Sequence, residues 1–276
     1  MKLAILLATY NSEKYLKVQI DSILAQSFSD FTLYIRDDGS TDSTISIIDE
    51  YLKLFPNIIF LKDNQKNRLS LGSFMWMLEN VNADYYMFSD HDDYWLENKV
   101  ELTLNKMLAV ESVGSKKPVI IHTDLKVVDT NLNEIAPSFW KYSKIDPKLL
   151  VNFNFLAVYN LLTGCTMMIN EEARNISLPY SKYSLMHDSW IGLKVLDKGG
   201  IIDFIPNQTI LYRQHGNNTI GATEVGTKKY FINKILFLNR ILENNRRKLK
   251  MIKQIREYSI YTYIFYKFVY GIKNRK

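Results

Sequence analysis

The sequence predicts an α/β protein built on a parallel sheet. Through the first 110 residues, short β-rich apolar runs alternate with segments of helical period, and polar clusters follow the ends of those runs. Leu3 to Ala8 reads as a buried first strand. Ser12 to Ser27 sets Tyr15, Leu16, Ile20, Ile23 and Leu24 at helical spacing, with Ser12 as the expected N-cap. Phe31 to Ile35 is a second strand, ending in Arg36-Asp37-Asp38-Gly39-Ser40, and Asp42 or Ser43 opens a helix through Ile45, Ile48 and Leu52. Ile58 to Leu61 is a third strand. A loop with Lys66, Asn67, Arg68 and Gly72 leads into a helix carrying Phe74, Met75, Met77 and Leu78. Tyr85 to Phe88 is a fourth strand, which stops at Ser89-Asp90-His91-Asp92-Asp93.

The second half is less regular. Val119 to His122, Lys126 to Val128 and Thr166 to Ile169 read as strands, and Ile201 to Ile205 with Thr209 to Tyr212 as a late pair. A helix is expected from Ser189 to Leu196, closed by Gly199-Gly200. Past Gly216 the chain turns helical and basic, with a soft boundary near Gly221.

At 276 residues, 47% hydrophobic and 23% charged, the chain is too apolar for a disordered protein and lacks the repeats of collagen or a coiled coil. One cysteine, Cys165, excludes an intrachain disulfide and a thiolate metal cluster, and suits a reducing compartment. The first apolar run is shorter than a signal-peptide core, and no run reaches the roughly 18 residues of a membrane span, so a cytoplasmic location is expected.

Asp90, Asp92 and Asp93 fall within four residues directly after a hydrophobic strand. Like charges so close repel unless a cation sits among them, and hard carboxylate oxygens suit Mg2+ or Mn2+. Open α/β sheets bind ligands beyond the carboxyl ends of their strands, where Thr9-Tyr10-Asn11 and Asp37-Asp38 also fall. Three strand ends therefore converge on one crevice. In the loop before the third helix, Arg68 could meet a phosphate and Gly72 could admit close backbone approach to a nucleotide, or the segment is a simple loop.

Ala8-Thr9-Tyr10-Asn11, Asp37-Asp38-Gly39-Ser40-Thr41-Asp42, Ser89-Asp90-His91-Asp92-Asp93 with Trp95 and Lys99, and Met186-His187-Asp188 before a helix resemble glycosyltransferase family 2, the inverting enzymes of GT-A fold. The bacterial rhamnosyltransferase-like branch is the most similar, through Thr163-Gly164-Cys165 and Tyr212-Arg213-Gln214-His215. His91 departs from the glutamine usual there. The resemblance covers residues 1 to about 221, with a nucleotide half to about 110 and an acceptor half after it, followed by a helical extension over 222–276.

The resemblance implies that Ala8, Thr9, Tyr10 and Asn11 hold the base, with Tyr10 stacking on it and Asp38 accepting a pyrimidine imide N–H. It places Asp90 at the ribose or the metal, Asp92 at the metal and His215 as an imidazole ligand. Asp93 either supports those ligands or caps the next helix with Glu97. Asp188 is implied as general base, although the same position suits a plain N-cap. Trp95 and Trp190 face sugar or pack in the core, His187 orients the Asp188 loop, and Gly164 and Cys165 lie toward the acceptor.

Residues 216–276 carry 14 Lys/Arg against 3 Asp/Glu, and seven of the thirteen residues from Tyr258 to Tyr270 are aromatic. Cations with interleaved rings suit an anionic membrane surface; the alternatives are a helix pair docked on the body or a dimer contact, and nucleic acid is not expected.

The function implied is transfer of a sugar from a dTDP- or UDP-sugar, dTDP-rhamnose included, to a saccharide or lipid-linked glycan in bacterial surface polysaccharide synthesis. A sugar-phosphate nucleotidyltransferase would open with a Gly-rich pyrophosphate loop, which Ala8-Thr9-Tyr10-Asn11 is not. A sugar-nucleotide-binding protein without turnover is the third reading.

Overall fold

The computed structural model describes every residue except Asn64, residues 114–115, 216–237 and 274–276. Strands β1 (Leu3–Thr9), β2 (Thr32–Asp37), β3 (Ile58–Phe60) and β4 (Tyr85–Ser89) alternate with helices α1 (Leu16–Leu24), α2 (Thr44–Leu54) and α3 (Leu69–Asn80). There follow β5 (Tyr94–Trp95), α4 (Lys99–Glu111), β6 (Val119–Val128), β7 (Glu134–Ala136), α5 (Phe139–Tyr142) and α6 (Phe153–Val158). Next come β8 (Met167–Asn170), α7 (Glu171–Ser177), α8 (His187–Asp197) and β9 (Ile201–Arg213). The described C-terminal helices are α9 (Leu238–Ile252) and α10 (Ile260–Lys273).

One mixed sheet runs β3-β2-β1-β4-β8-β6-β9-β5, with β7 paired to β6. The β3-β2-β1-β4 portion is parallel, as the alternation predicts, so its carboxyl ends share one edge. Strand β8 then enters antiparallel to both β4 and β6. Both faces of the sheet are covered: Ala4, Leu6, Tyr86 and Phe88 belong to one core, and Ile5, Leu7 and Met87 to the other. Burial on both faces is why these strands read as unbroken apolar runs.

Several boundaries differ from the sequence reading. Helix α1 starts at Leu16 rather than after Ser12, whose hydroxyl instead accepts from the Tyr10 amide at 3.0 Å and so shapes the turn after β1. The Asp42 carboxylate accepts from the Thr44 amide at 3.0 Å, opening α2 as expected. Between the acidic run and α4 lies β5, so Asp93 does not cap a helix; α4 begins after Asn98. The two strands expected over 119–128 are one, β6, and the late pair is one long strand, β9, because they pair in parallel across a register shift at Thr123/Asp124. The expected boundary near Gly221 lies outside the described residues.

The helical C-terminal region packs on the body. Met251 and Ile252 are buried, Tyr258 donates to the Asn154 side chain at 2.9 Å, and Tyr270 stacks on Tyr159 at 4.0 Å between centroids. Arg256 pairs with Asp197 at the end of α8 and covers the Phe153 ring. The docked helix pair, one of the arrangements expected for this segment, is thus present.

Candidate active site

The polar clusters after β1, β2 and β4 meet at one edge of the sheet. Thr9 donates to the Asp37 carboxylate at 3.0 Å, which also accepts from the amides of Gly39 and Ser40. Gly39, at φ +96°, holds a conformation that a side chain would strain. Asn11 accepts from the Thr41 amide at 2.9 Å, linking the two loops, and Tyr10 beside it is 49% exposed, its ring open to a ligand. The Ala8 carbonyl lies 3.3 Å from His91 Nδ1, so His91 ties the β4 loop to the end of β1.

At the end of β2, Arg36 is fully buried and holds Asp38 at 2.8 Å and Asp63 at 3.2 Å. Asp38 also accepts from the amides of Arg68 and Leu69, both at 2.8 Å. Burial works against the Asp63 charge, but hydrogen bonds from Arg36 and Arg68 hold its carboxyl below the usual range. The Arg68 guanidinium is thus committed to Asp63, at 2.7 Å, rather than presented to a phosphate. Gly72 lies inside α3, and a Cβ there would meet the Arg68 Cβ at 2.9 Å; this glycine makes room for Arg68 rather than for a nucleotide.

The acids after β4 sit differently. Ligand atoms of Asp90, Asp93 and Cys165 lie within 4.8 Å of one another. Burial, then the charges of Asp92 and Asp188, push the Asp90 carboxyl up to about 7. Asp93 is raised well above its ordinary range by burial and by Asp92 and Asp90. One Asp93 oxygen accepts from the Arg213 amide at 3.2 Å; the other has no hydrogen-bond partner among the described residues. Asp92 Oδ2 lies 2.8 Å from His215 Nε2, so the late histidine does reach the acidic run. The orphaned Asp93 oxygen, with Asp90 crowded beside it and the His215 imidazole on Asp92, is a hard-ligand set that fits Mg2+ or Mn2+.

The sequence motif that contains Arg213 carries no signal of its role. From the end of β9 Arg213 donates to the Asp92 carbonyl at 2.8 Å, and its guanidinium lies 4.6 Å from the centre of the Tyr15 ring, on which His215 also stacks. Beneath the loop, the ammonium of Lys99 is buried 4.6 Å from the Trp95 ring centre, and burial lowers it to about 8.

Asp188 opens α8, and its Oδ1 accepts from Asn160 Nδ2 at 2.8 Å and from the Ser189 amide. Burial raises its carboxyl to about 6, against the hydrogen bonds of Asn160 and the Ser189 and Gly164 amides and the charge of Lys248. A carboxylate with that affinity takes up a proton readily and is still ionised at neutral pH. Asn160 was not foreseen; it comes from the segment after α6, 28 residues away.

The aromatic sugar candidates are core residues. Trp95 is 1% and Trp190 3% exposed, and Trp190 donates to the Ser177 carbonyl at 2.8 Å. His187 is buried against Phe74 and Phe88, which lowers it to about 3 and keeps it neutral. A Cβ on Gly164 would sit 2.2 Å from His187 Nε2, so Gly164 is the space that lets His187 anchor the start of α8. Cys165 is buried, and burial with Asp93 and Asp90 nearby raises its thiol further, which makes it a poor nucleophile.

The chain is similar to known proteins in sequence and in fold. The chain is 27% identical over 242 residues to the dTDP-rhamnosyl transferase RfbG of Shigella flexneri, covering 81% of this chain and 76% of that protein. In fold it is similar to S. aureus TarS 1-349 in complex with UDP-GlcNAc, with a TM-score of 0.59 at 18% identity, covering 92% of this chain and 71% of that one. It is also similar to the mannosyltransferase PcManGT of Pyrobaculum calidifontis in complex with GDP-Man and Mn2+, with a TM-score of 0.59 at 15% identity; the match covers 80% of this chain and 58% of that one. The fold is that of the GT-A glycosyltransferases. Residues 4–173 match the family described as Glycosyl transferase family 2, and with its sheet and strand-end acids this chain belongs to that family and is a glycosyltransferase.

Proposed function

We propose that the protein is a metal-dependent inverting glycosyltransferase that moves a sugar from a pyrimidine nucleoside diphosphate donor to a saccharide hydroxyl. The observation that carries this reading is Asp188, buried, raised to about 6 and oriented by Asn160, within electrostatic reach of the uncompensated Asp90. Donor-binding acids and a basic carboxylate thus share one crevice.

In this reading Tyr10 covers the base, and Asp38 accepts the imide N–H with the oxygen capacity its three protein bonds leave. Asp90, Asp92 and His215 hold the divalent cation, which when bound stabilises charge on the leaving phosphate as a Lewis acid. Asp188 takes the proton of the acceptor hydroxyl as its oxygen bonds to the anomeric carbon. The bond from that carbon to the phosphate oxygen breaks, its electrons leave with the diphosphate, and one displacement inverts the centre. The likeness to a dTDP-rhamnosyl transferase supports a dTDP-sugar donor and an acceptor in bacterial surface polysaccharide synthesis, with UDP as the other pyrimidine Asp38 would read.

The same reading extends to a membrane-surface acceptor. Opposite its docked side, α10 exposes Tyr261 (82%), Phe268 (67%), Phe265 (59%) and Ile264 (58%), with Arg246, Arg247 and Lys250 on the neighbouring α9. Exposed rings with cations on the neighbouring helix suit the headgroup layer of an anionic bilayer. No described helix is long and apolar enough to cross a membrane.

The test is calorimetry with dTDP, UDP, GDP and CDP, with and without Mn2+, followed by transfer assays on the matching sugars. Metal-dependent binding of one pyrimidine diphosphate is expected. Asp188→Asn should retain that binding and lose about two to four orders of magnitude in turnover. Full turnover in Asp188→Asn would make Asp188 a helix cap only.

A further inference from the structure

Two side chains at and just beyond the end of β9 meet on one ring. His215 stacks on Tyr15 with centroids 5.3 Å apart and planes 25° from parallel, and the Arg213 guanidinium lies 4.6 Å from the centre of the same ring. Tyr15 stands at the N-cap of α1, where its amide donates to the Ser12 carbonyl at 3.0 Å and its carbonyl accepts from the Gln19 amide at 3.1 Å. The ring is thus carried on hydrogen-bonded backbone. Its hydroxyl has no hydrogen bond among the described residues, so the contacts of this side chain are those of the ring face.

Both partners of the ring return to Asp92. His215 Nε2 lies 2.8 Å from Asp92 Oδ2, while Arg213 Nε donates to the Asp92 carbonyl at 2.8 Å and its Nη1 to the Thr130 carbonyl. The contacts close a circuit that runs from the Asp92 main chain through Arg213, Tyr15 and His215 to the Asp92 carboxylate. The Gln214 amide donates to the Val128 carbonyl at 2.8 Å, which carries the sheet register to the residue before His215. The imidazole itself stands past the strand, where a stacked ring restricts its rotamers as backbone pairing cannot. A ligand ordered before its cation arrives spares the cost of ordering it on binding. Groups that hold a ligand in this way commonly contribute about ten- to a hundredfold in metal affinity.

We propose that Tyr15 is a positioning residue for the cation site. Arg213 ties its ring to the Asp92 loop, the ring seats the His215 imidazole against the Asp92 carboxylate, and Tyr15 acts on the cation through His215 without touching it. This rests on the reading of Asp92 and His215 as cation ligands, and assigns the ordering of that pair to a residue of the first helix.

The test is calorimetry of Mn2+ alone on the full chain and on Tyr15→Leu, Tyr15→Phe, His215→Ala and the Tyr15→Leu/His215→Ala double variant, with circular dichroism and metal-free melting to show that each is folded. Tyr15→Leu should weaken Mn2+ binding about tenfold or more, and Tyr15→Phe, which keeps the ring, should stay within about twofold of the unaltered protein. In the His215→Ala background, Tyr15→Leu should change affinity by less than about twofold, because the group it positions is gone. Unaltered affinity in a folded Tyr15→Leu overturns the proposal, and so does a larger further loss in the double variant, which would mean that Tyr15 acts by another route. Where Tyr15→Leu does not fold, Tyr15→Met takes its place with the same outcomes. His215→Ala separates this proposal from the reading beneath it. Full Mn2+ affinity in that variant removes His215 as a ligand and the proposal with it, whereas loss in His215→Ala without loss in Tyr15→Leu removes Tyr15 alone.

Discussion

Two carboxylate clusters stand at neighbouring strand ends and are built in opposite ways. At β2, Asp38 and Asp63 converge on the buried Arg36, with Arg68 on Asp63, and Asp63 is held below the ordinary carboxyl range. After β4, Asp90 and Asp93 have no basic side chain in hydrogen-bond contact, and crowding with burial raises both. The same side chain is tied to arginines in one place and crowded with other carboxylates in the other. What separates them is whether an arginine lies in contact with the carboxylates.

The largest effect expected from this contrast is on stability. Arg36→Met leaves the buried Asp38 without a cationic partner and Asp63 with Arg68 alone, and should destabilise the protein by about 3–5 kcal/mol in denaturant unfolding. A loss below 1 kcal/mol would mean that the first cluster is not held by its own cation. The second cluster should respond to an external one: saturating Mn2+ or Mg2+ should raise the melting temperature, by about 2.7 kcal/mol of stabilisation at a hundredfold excess over the dissociation constant. Asp92→Asn should remove most of that response, and an equal response in both proteins would take Asp92 out of the cation site.

The smallest expected effect concerns Asp188, raised by burial without an acidic neighbour among its causes. As a base it must be ionised, so turnover at saturating substrate should be level above about pH 6 and fall about tenfold per unit below it. A flat profile from pH 7 to 5, at constant bound metal, would remove it from the proton transfer.

Most of the parallel half was legible because its strands are buried on both faces and announce themselves as apolar runs. Strand β5 has two residues, too few to show a period, and its presence is what displaced Asp93 from a helix cap. β6 and β9 each read as two strands because Asp124 and Gln208 interrupt their apolar pattern at the register shift; Gln208 in fact donates to Asp124 at 3.0 Å. In the site, Asp90, Asp92, Asp188 and His215 sit in short motifs and could be named. Asn160 and Lys248 arrive by tertiary packing from segments without a local signature. Trp95 and Trp190 were ambiguous in sequence because an aromatic ring serves a core as well as a sugar, and burial decided it.

Strand β9 sets the order in which the molecule can become complete during synthesis. It lies between β6, with Val119 opposite Ile201, and β5, with Trp95 opposite Ile210, and its last residues carry Arg213 and His215 to the acidic run. A nascent chain that has left the ribosome only through α8 has β5 unpaired and one long side of β6 open, an edge that invites pairing with another chain. The acids after β4 are among the earlier parts made, yet their clasp is among the later ones. A polypeptide cut short of Arg213 should therefore be lost to aggregation or degradation rather than persist as a weakly active enzyme.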